Sequence, residues 1–117
     1  MRRTLTTALL LALLALSGLT HAESAADDPR VVDEHLRVGL VAYWKLDFQG
    51  AERHFQAAVD ADPDSAAALY YLGYTVYKIA EPKRRDDPGK RRAAAWFARA
   101  FAIDPGFTPG WGAAGRP

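Results

Sequence analysis

From residue 30 onward the apolar positions fall at helical spacing. Phe48, Ala51, Phe55, Ala58 and Val59 share one helix face, as do Ala93, Trp96, Phe97, Ala100 and Phe101. Tyr70, Tyr74 and Tyr77 recur at spacings of four and three and form one stripe, with Leu72, Gly73 and Val76 on the adjoining face. The pattern predicts an all-α chain with helices over 30–46, 49–61, 65–80 and 90–103 and a short helical start at 108–114. Asp-Pro steps at Asp28-Pro29, Asp62-Pro63 and Asp104-Pro105 punctuate it. Proline lacks the N–H, and the residue before it is pushed out of the α region, so these steps are expected to end the second helix of each unit. Asp64 or Ser65 then caps the next helix.

The prolines of these steps lie 34 and then 42 residues apart, and each is followed ten residues later by a glycine, Gly39, Gly73 or Gly115. A period of this size marks one supersecondary unit in tandem. The first unit reads His35-x2-Val38-Gly39-x2-Ala42, then Ala51-x3-Phe55, then Pro63. The second reads Leu69-x2-Leu72-Gly73-x2-Val76, then Ala93-x3-Phe97, then Pro105. This resembles the tetratricopeptide repeat, a helix–turn–helix unit with the pattern W-x2-L-G-x2-Y…A-x3-F…P. The resemblance runs over residues 29–115 and departs from the pattern at His35 and Ala42 and by an eight-residue insertion in the second unit. It implies two hairpins with a partial third helix, in units of about 30–65 and 66–107, a basic insertion at 81–92 and a partial cap at 108–117. Gly39 and Gly73 then sit mid-helix, where glycine costs roughly 1 kcal/mol against alanine unless a neighbouring helix packs too close for a Cβ.

The amino-terminal segment has a different character. Arg2 and Arg3 precede an uninterrupted apolar run from Ala8 to Leu16, and Thr20-His21-Ala22 supplies small residues at a cleavage position. That is the pattern of a secretory signal peptide over 1–22, followed by a linker at 23–29 and the repeat domain at 30–117. The run falls short of the ~20 residues that span a bilayer, so no stable membrane span is expected after cleavage near Ala22. The expected location is periplasmic or secreted. Processing leaves 13 basic against 14 acidic side chains, a near-neutral balance that argues against nucleic-acid binding. With no cysteine, stability must come from helix packing.

Two features offer surfaces. The tyrosine stripe of Tyr70, Tyr74 and Tyr77, with Leu36, Leu40, Tyr43 and Trp44 of the first unit, makes a candidate groove on the inner side, where the resembled family holds its ligands. The alternative is that these rings pack helix on helix. The Lys and Asn side chains by which some members clamp a terminal carboxylate are missing from these places. Lys83, Arg84, Arg85, Lys90, Arg91 and Arg92 form a basic loop, and the segment from Lys78 to Arg92 carries net +4. That loop suits an acidic partner or anionic lipid, or is simply a solvated extension. Asp87-Pro88-Gly89-Lys90 within it reads as a β-turn.

Catalytic constellations are missing. His35 and His54 stand 19 residues apart on separate predicted helices, with no metal-ligand spacing, and Gly89-Lys90 lacks the remainder of a phosphate-binding loop. No enzyme, cofactor or metal is expected. The expectation is an exported protein- or peptide-binding module. The alternatives are a structural subunit of an envelope assembly and a peripheral binder acting through the loop at 78–92. The helix at 90–103 has no proper outer cover, so Phe107 and Trp111 are expected to fold over Trp96, Phe97 and Phe101, and a homo-oligomer is admitted.

Overall fold

The computed structural model describes residues 28–111; the expected signal segment at 1–22 and the linker before Asp28 lie outside the described residues. Four helices follow one another: α1 (Pro29–Trp44), α2 (Phe48–Ala61), α3 (Ala66–Ala80) and α4 (Pro88–Ile103). The described residues are all-helical, in two helix–turn–helix units. Within each unit the helices pack along their length, α1 on α2 and α3 on α4; α2 joins the units by packing on α3, while α1 barely touches α3.

Each helix starts on a side-chain cap that satisfies an otherwise orphaned N–H. Asp28 accepts from Arg30 N, Asp47 from Gly50 N, Ser65 from Ala68 N and Asp87 from Gly89 N. Pro29 and Pro88 occupy first-turn positions, where the missing N–H loses nothing. Two Asp-Pro steps act as the sequence suggests. Asp62 and Asp104 end α2 and α4 in extended conformation, their N–H groups donating to Ala58 O and Ala100 O. The step at Asp28-Pro29 instead opens α1, because there the aspartate is the cap and the proline the first helical residue. The Asp87–Lys90 segment is also a helix start rather than a free β-turn: its turn bond, Lys90 N to Asp87 O at 3.0 Å, continues into α4.

The mid-helix glycines sit at the closest helix approaches. A Cβ on Gly39 would stand 2.6 Å from Phe55 Cε1, and one on Gly73 would stand 3.0 Å from the Trp96 Cβ and 3.3 Å from the Ala93 carbonyl oxygen. Ala51, Phe55, Ala58, Ala68, Leu69, Leu72, Ala93 and Ala100 complete a core that excludes water. Thr75 is a fully buried polar side chain of the core, and its hydroxyl donates to Tyr71 O at 2.8 Å. Arg99 ties the far end of α4 to the α2–α3 turn, donating to Pro63 O at 3.1 Å while its guanidinium lies over the Trp96 ring.

After α4 the chain repeats the turn that follows α2, and no helix resumes among the described residues, which run to 111. Phe107 N donates to Asp104 O just as Ser65 N donates to Asp62 O. Phe107 therefore stands where Ser65 caps α3, and it offers no oxygen to the N–H groups beyond it. Of the helical start expected at 108–114, residues 108–111 are not helical, and 112–114 lie outside the described residues.

Candidate functional site: the aromatic inner face

The inner face is built by α1 and α3. Tyr43 near the end of α1 meets Tyr74 of α3 with ring centroids 6.1 Å apart, and Phe48 backs Tyr43 at 5.3 Å. Tyr70 and Tyr74, one turn apart on α3, stack with an interplanar angle of 18°. Tyr71 turns inward and stacks on Phe55 of the core at 5.5 Å. Tyr70 leans the other way, onto Phe97 and Phe101 of α4.

This face is occupied by the protein's own segment beyond α4. Trp111 sits among the tyrosines, 4.8 Å from Tyr43, 4.8 Å from Tyr71 and 5.0 Å from Tyr74, with Trp44 and Tyr70 each at 6.3 Å. Phe107 packs on Tyr70 at 5.3 Å and on the edge of Tyr71 at 6.3 Å. The backbone between them is fastened by one bond, Gly110 N–H donating to the Tyr71 hydroxyl at 2.9 Å. All these separations lie in the range where aromatic pairs attract, each adding about 0.5–1.5 kcal/mol beyond area burial.

The tail thus covers the inner face. The sequence placed Phe107 and Trp111 over Trp96, Phe97 and Phe101; no ring contact joins Trp111 to those three, and Phe101 remains exposed.

Crowding changes the acidity of the site. Burial, with Tyr74 alongside, pushes the Tyr43 hydroxyl up to about 12. Burial also raises Tyr70, again with Tyr74 adding to it, while the Trp111 indole works in the opposite direction. The site offers rings and neutral hydroxyls, with the nearby charges of Lys78 and Glu81 paired to each other at 2.6 Å, which suits an uncharged aromatic ligand.

No family model matches the chain, and no solved structure matches it. Curated relatives do. Tetratricopeptide repeat protein 37 of Xenopus laevis is 30% identical over 89 residues, covering 72% of this chain and 6% of the relative. Superkiller complex protein 3 of Mus musculus is 30% identical over 105 residues, 79% of this chain and 6% of the relative, and the Homo sapiens protein of that name is 32% identical over 76 residues. These relatives and the paired hairpins support a tetratricopeptide-like family. The chain spans about 6% of the length of the first two relatives.

Placed on this TPR-like frame, the groove residues expected from sequence divide. Tyr43, Trp44, Tyr70 and Tyr74 come together around Trp111. Tyr77 adjoins Tyr74 at 6.5 Å but stays exposed at the edge. Leu40 is core, and Leu36 lines a separate cleft between the start of α1 and the α2–α3 turn. Tyr71, Phe107 and Trp111 were missed as site residues. Tyr71 stands off the stripe of three tyrosines, and Trp111 can be assigned only once the tail is seen to run back across the inner face without helical structure.

The basic residues are partly committed to their own loop. Lys90 Nζ donates to Lys83 O at 2.8 Å and Arg91 to Asp86 O at 2.7 Å, so both hold the turn that leads into α4. Arg84 approaches Asp86 at 3.8 Å with its side chain 91% exposed. Lys90, Arg91 and Arg92 belong to the first turns of α4, leaving Lys83, Arg84 and Arg85 as the exposed cations of the loop itself.

The structure also joins two residues that sequence held apart. His35 of α1 and His54 of α2 meet with their Nδ1 atoms 3.3 Å apart, one ring donating and the other accepting. Among the described residues, no group of three or more His, Cys, Asp or Glu side chains is placed to hold a metal ion, and no helix is long and apolar enough to cross a membrane.

Proposed function

We propose that the protein is a non-enzymatic protein–protein interaction module exported to the cell envelope, which binds a partner protein or peptide through the inner face of α1 and α3. One observation carries this reading: Tyr43, Tyr71 and Tyr74 form a slot that already holds a tryptophan side chain and a peptide N–H. Tyrosine gives large contact area at low entropy cost, and its hydroxyl can bond a peptide backbone. The tetratricopeptide name of the Xenopus laevis relative and the complex-subunit name of the others agree with a partner-binding role. Export rests on Arg2, Arg3 and the apolar run Ala8–Leu16; intact mass from the native compartment is expected to begin at Glu23.

The decisive experiment compares two variants in a pull-down of partners crosslinked in cells. Tyr70→Ala with Tyr74→Ala is expected to weaken capture at least about tenfold, roughly 1.4 kcal/mol, as for central contact residues. Helix content should survive, since alanine favours helix more than tyrosine does. Replacement of Arg84, Arg85, Arg91 and Arg92 by serine should leave capture in place. The reverse outcome, with capture lost steeply as salt rises, assigns binding to the basic loop and an acidic partner or lipid. Capture at fixed stoichiometry, unaffected by either variant, assigns a structural subunit.

A further inference from the structure

Resting on the inner-face reading, we propose that residues 107–111 are an internal ligand, and that the slot's partner is a non-helical, uncharged peptide segment with two aromatic side chains four residues apart, the second a tryptophan. The tail shows what the slot accepts. Phe107 supplies the first ring and Trp111 the second, while Tyr71 takes the one backbone N–H that crosses to the helices. A segment from another chain with that spacing meets the same three demands.

The composition of the tail narrows the class further. Residues 105–111 read Pro-Gly-Phe-Thr-Pro-Gly-Trp and carry no charge. The slot matches this: its wall is five rings, and the hydroxyls of Tyr43 and Tyr70 are held more firmly neutral than usual. Burying a carboxylate or ammonium there without a partner would be costly. Proline fixes φ and lowers the ordering cost of a non-helical segment, so proline near the aromatic pair favours binding.

The tail is held in a way that permits exchange. It forms neither helix nor strand with the rest of the fold, and Thr108 and Gly110 face solvent. What retains it is a short tether: Asp104, Pro105 and Gly106 are all that separate Phe107 from α4, and Asp104 pins the turn by accepting from Gly106 N at 3.0 Å. A tether this short places the tail at an effective concentration of order millimolar or above. A partner segment must overcome that, so the intact chain responds to strong or locally concentrated partners and ignores weak ones.

The test uses the full chain, unmodified and as Phe107→Ala with Trp111→Ala, and a synthetic peptide copying residues 104–112. Isothermal titration is expected to give one-to-one binding to the vacated chain, at least tenfold weaker binding to the unmodified chain, and no binding of a peptide with alanine in place of its tryptophan. In the unmodified chain, excess peptide should speed hydrogen exchange at the Gly110 amide as the tail leaves. Should the vacated chain self-associate, the peptide is expected to dissociate it. No binding to the vacated chain, equal binding to both chains, or aggregates indifferent to the peptide overturns the proposal. Peptide failure alongside partner capture that still depends on Tyr70 and Tyr74 removes this inference and leaves the module; peptide binding with tyrosine-independent capture leaves the slot and removes the module.

Discussion

The Gly110 N–H and the Tyr71 hydroxyl meet at 2.9 Å across 39 residues of sequence, the longest-range hydrogen bond between α3 and the segment that follows α4. Tyr71 is 5% exposed, and its ring is fixed on Phe55, so the acceptor is presented at a set place before the tail arrives. Tyr71→Phe keeps the ring and removes the acceptor. A neutral hydrogen bond contributes about 0.5–1.5 kcal/mol net, so hydrogen exchange at Gly110 should rise roughly two- to tenfold with the melting temperature of the helices little changed.

Gly39→Ala tests the closest approach of α1 and α2. Alanine gains about 1 kcal/mol of helix propensity at such a position. Its Cβ, however, would lie within 2.6–3.1 Å of three atoms of the Phe55 ring, which is fully buried and has nowhere to turn. Overpacking of this kind costs about 1–3 kcal/mol, so the net effect should be a lower melting temperature by calorimetry.

Leu46→Gly should act in the opposite direction. Leu46 has φ of 61° and follows α1, where Asp47 N bonds Ala42 O and Leu46 N bonds Tyr43 O. That bonding places it at the left-handed position usually filled by glycine. Its side chain is 74% exposed, so little packing is lost on removal. Relief of the left-handed penalty should stabilise the fold by up to about 1 kcal/mol, measured by urea denaturation.

Alkaline pH should destabilise the site. An unfolded tyrosine ionises at about 10. Tyr43 keeps its proton to about 12 in the fold, with burial the main cause. Between those values the unfolded chain has released a proton that the folded chain still holds, so stability is complete below about 10 and falls as pH rises toward 12. Tyr43→Phe should flatten that slope in pH-dependent denaturation, leaving the smaller part due to Tyr70, whose shift has the same direction.

Much of this architecture is written locally. Caps, proline stops and the 3.6-residue period act over a few residues, which is why Ser65, Asp62 and Asp104 do in the structure what their sequence suggests. Gly39 and Gly73 are legible for a related reason: a residue unfavourable in its own helix signals a close neighbour. The inner face was legible as a stripe of tyrosines, but its occupant was not. Trp111 has no periodicity to place it, and its destination follows from the missing cap at Phe107 and from surfaces brought together by folding. The His35–His54 contact was hidden likewise, since their meeting depends on the register of one helix against another.

The reach of Trp111 back to Tyr43 has a consequence for how the molecule folds. Two stacked hairpins joined by α2 and α3 form a linear array whose contacts are mostly near in sequence, an arrangement that folds quickly and can fray from either end. A segment anchored on both α1 and α3 adds contacts spanning more than half the described chain and turns the array into a closed circuit. Such contacts form last, after both hairpins are in place. Docking of residues 107–111 then reports that the whole circuit is assembled, and opening of the amino-terminal hairpin removes the Tyr43 and Trp44 share of its contacts while those to α3 remain.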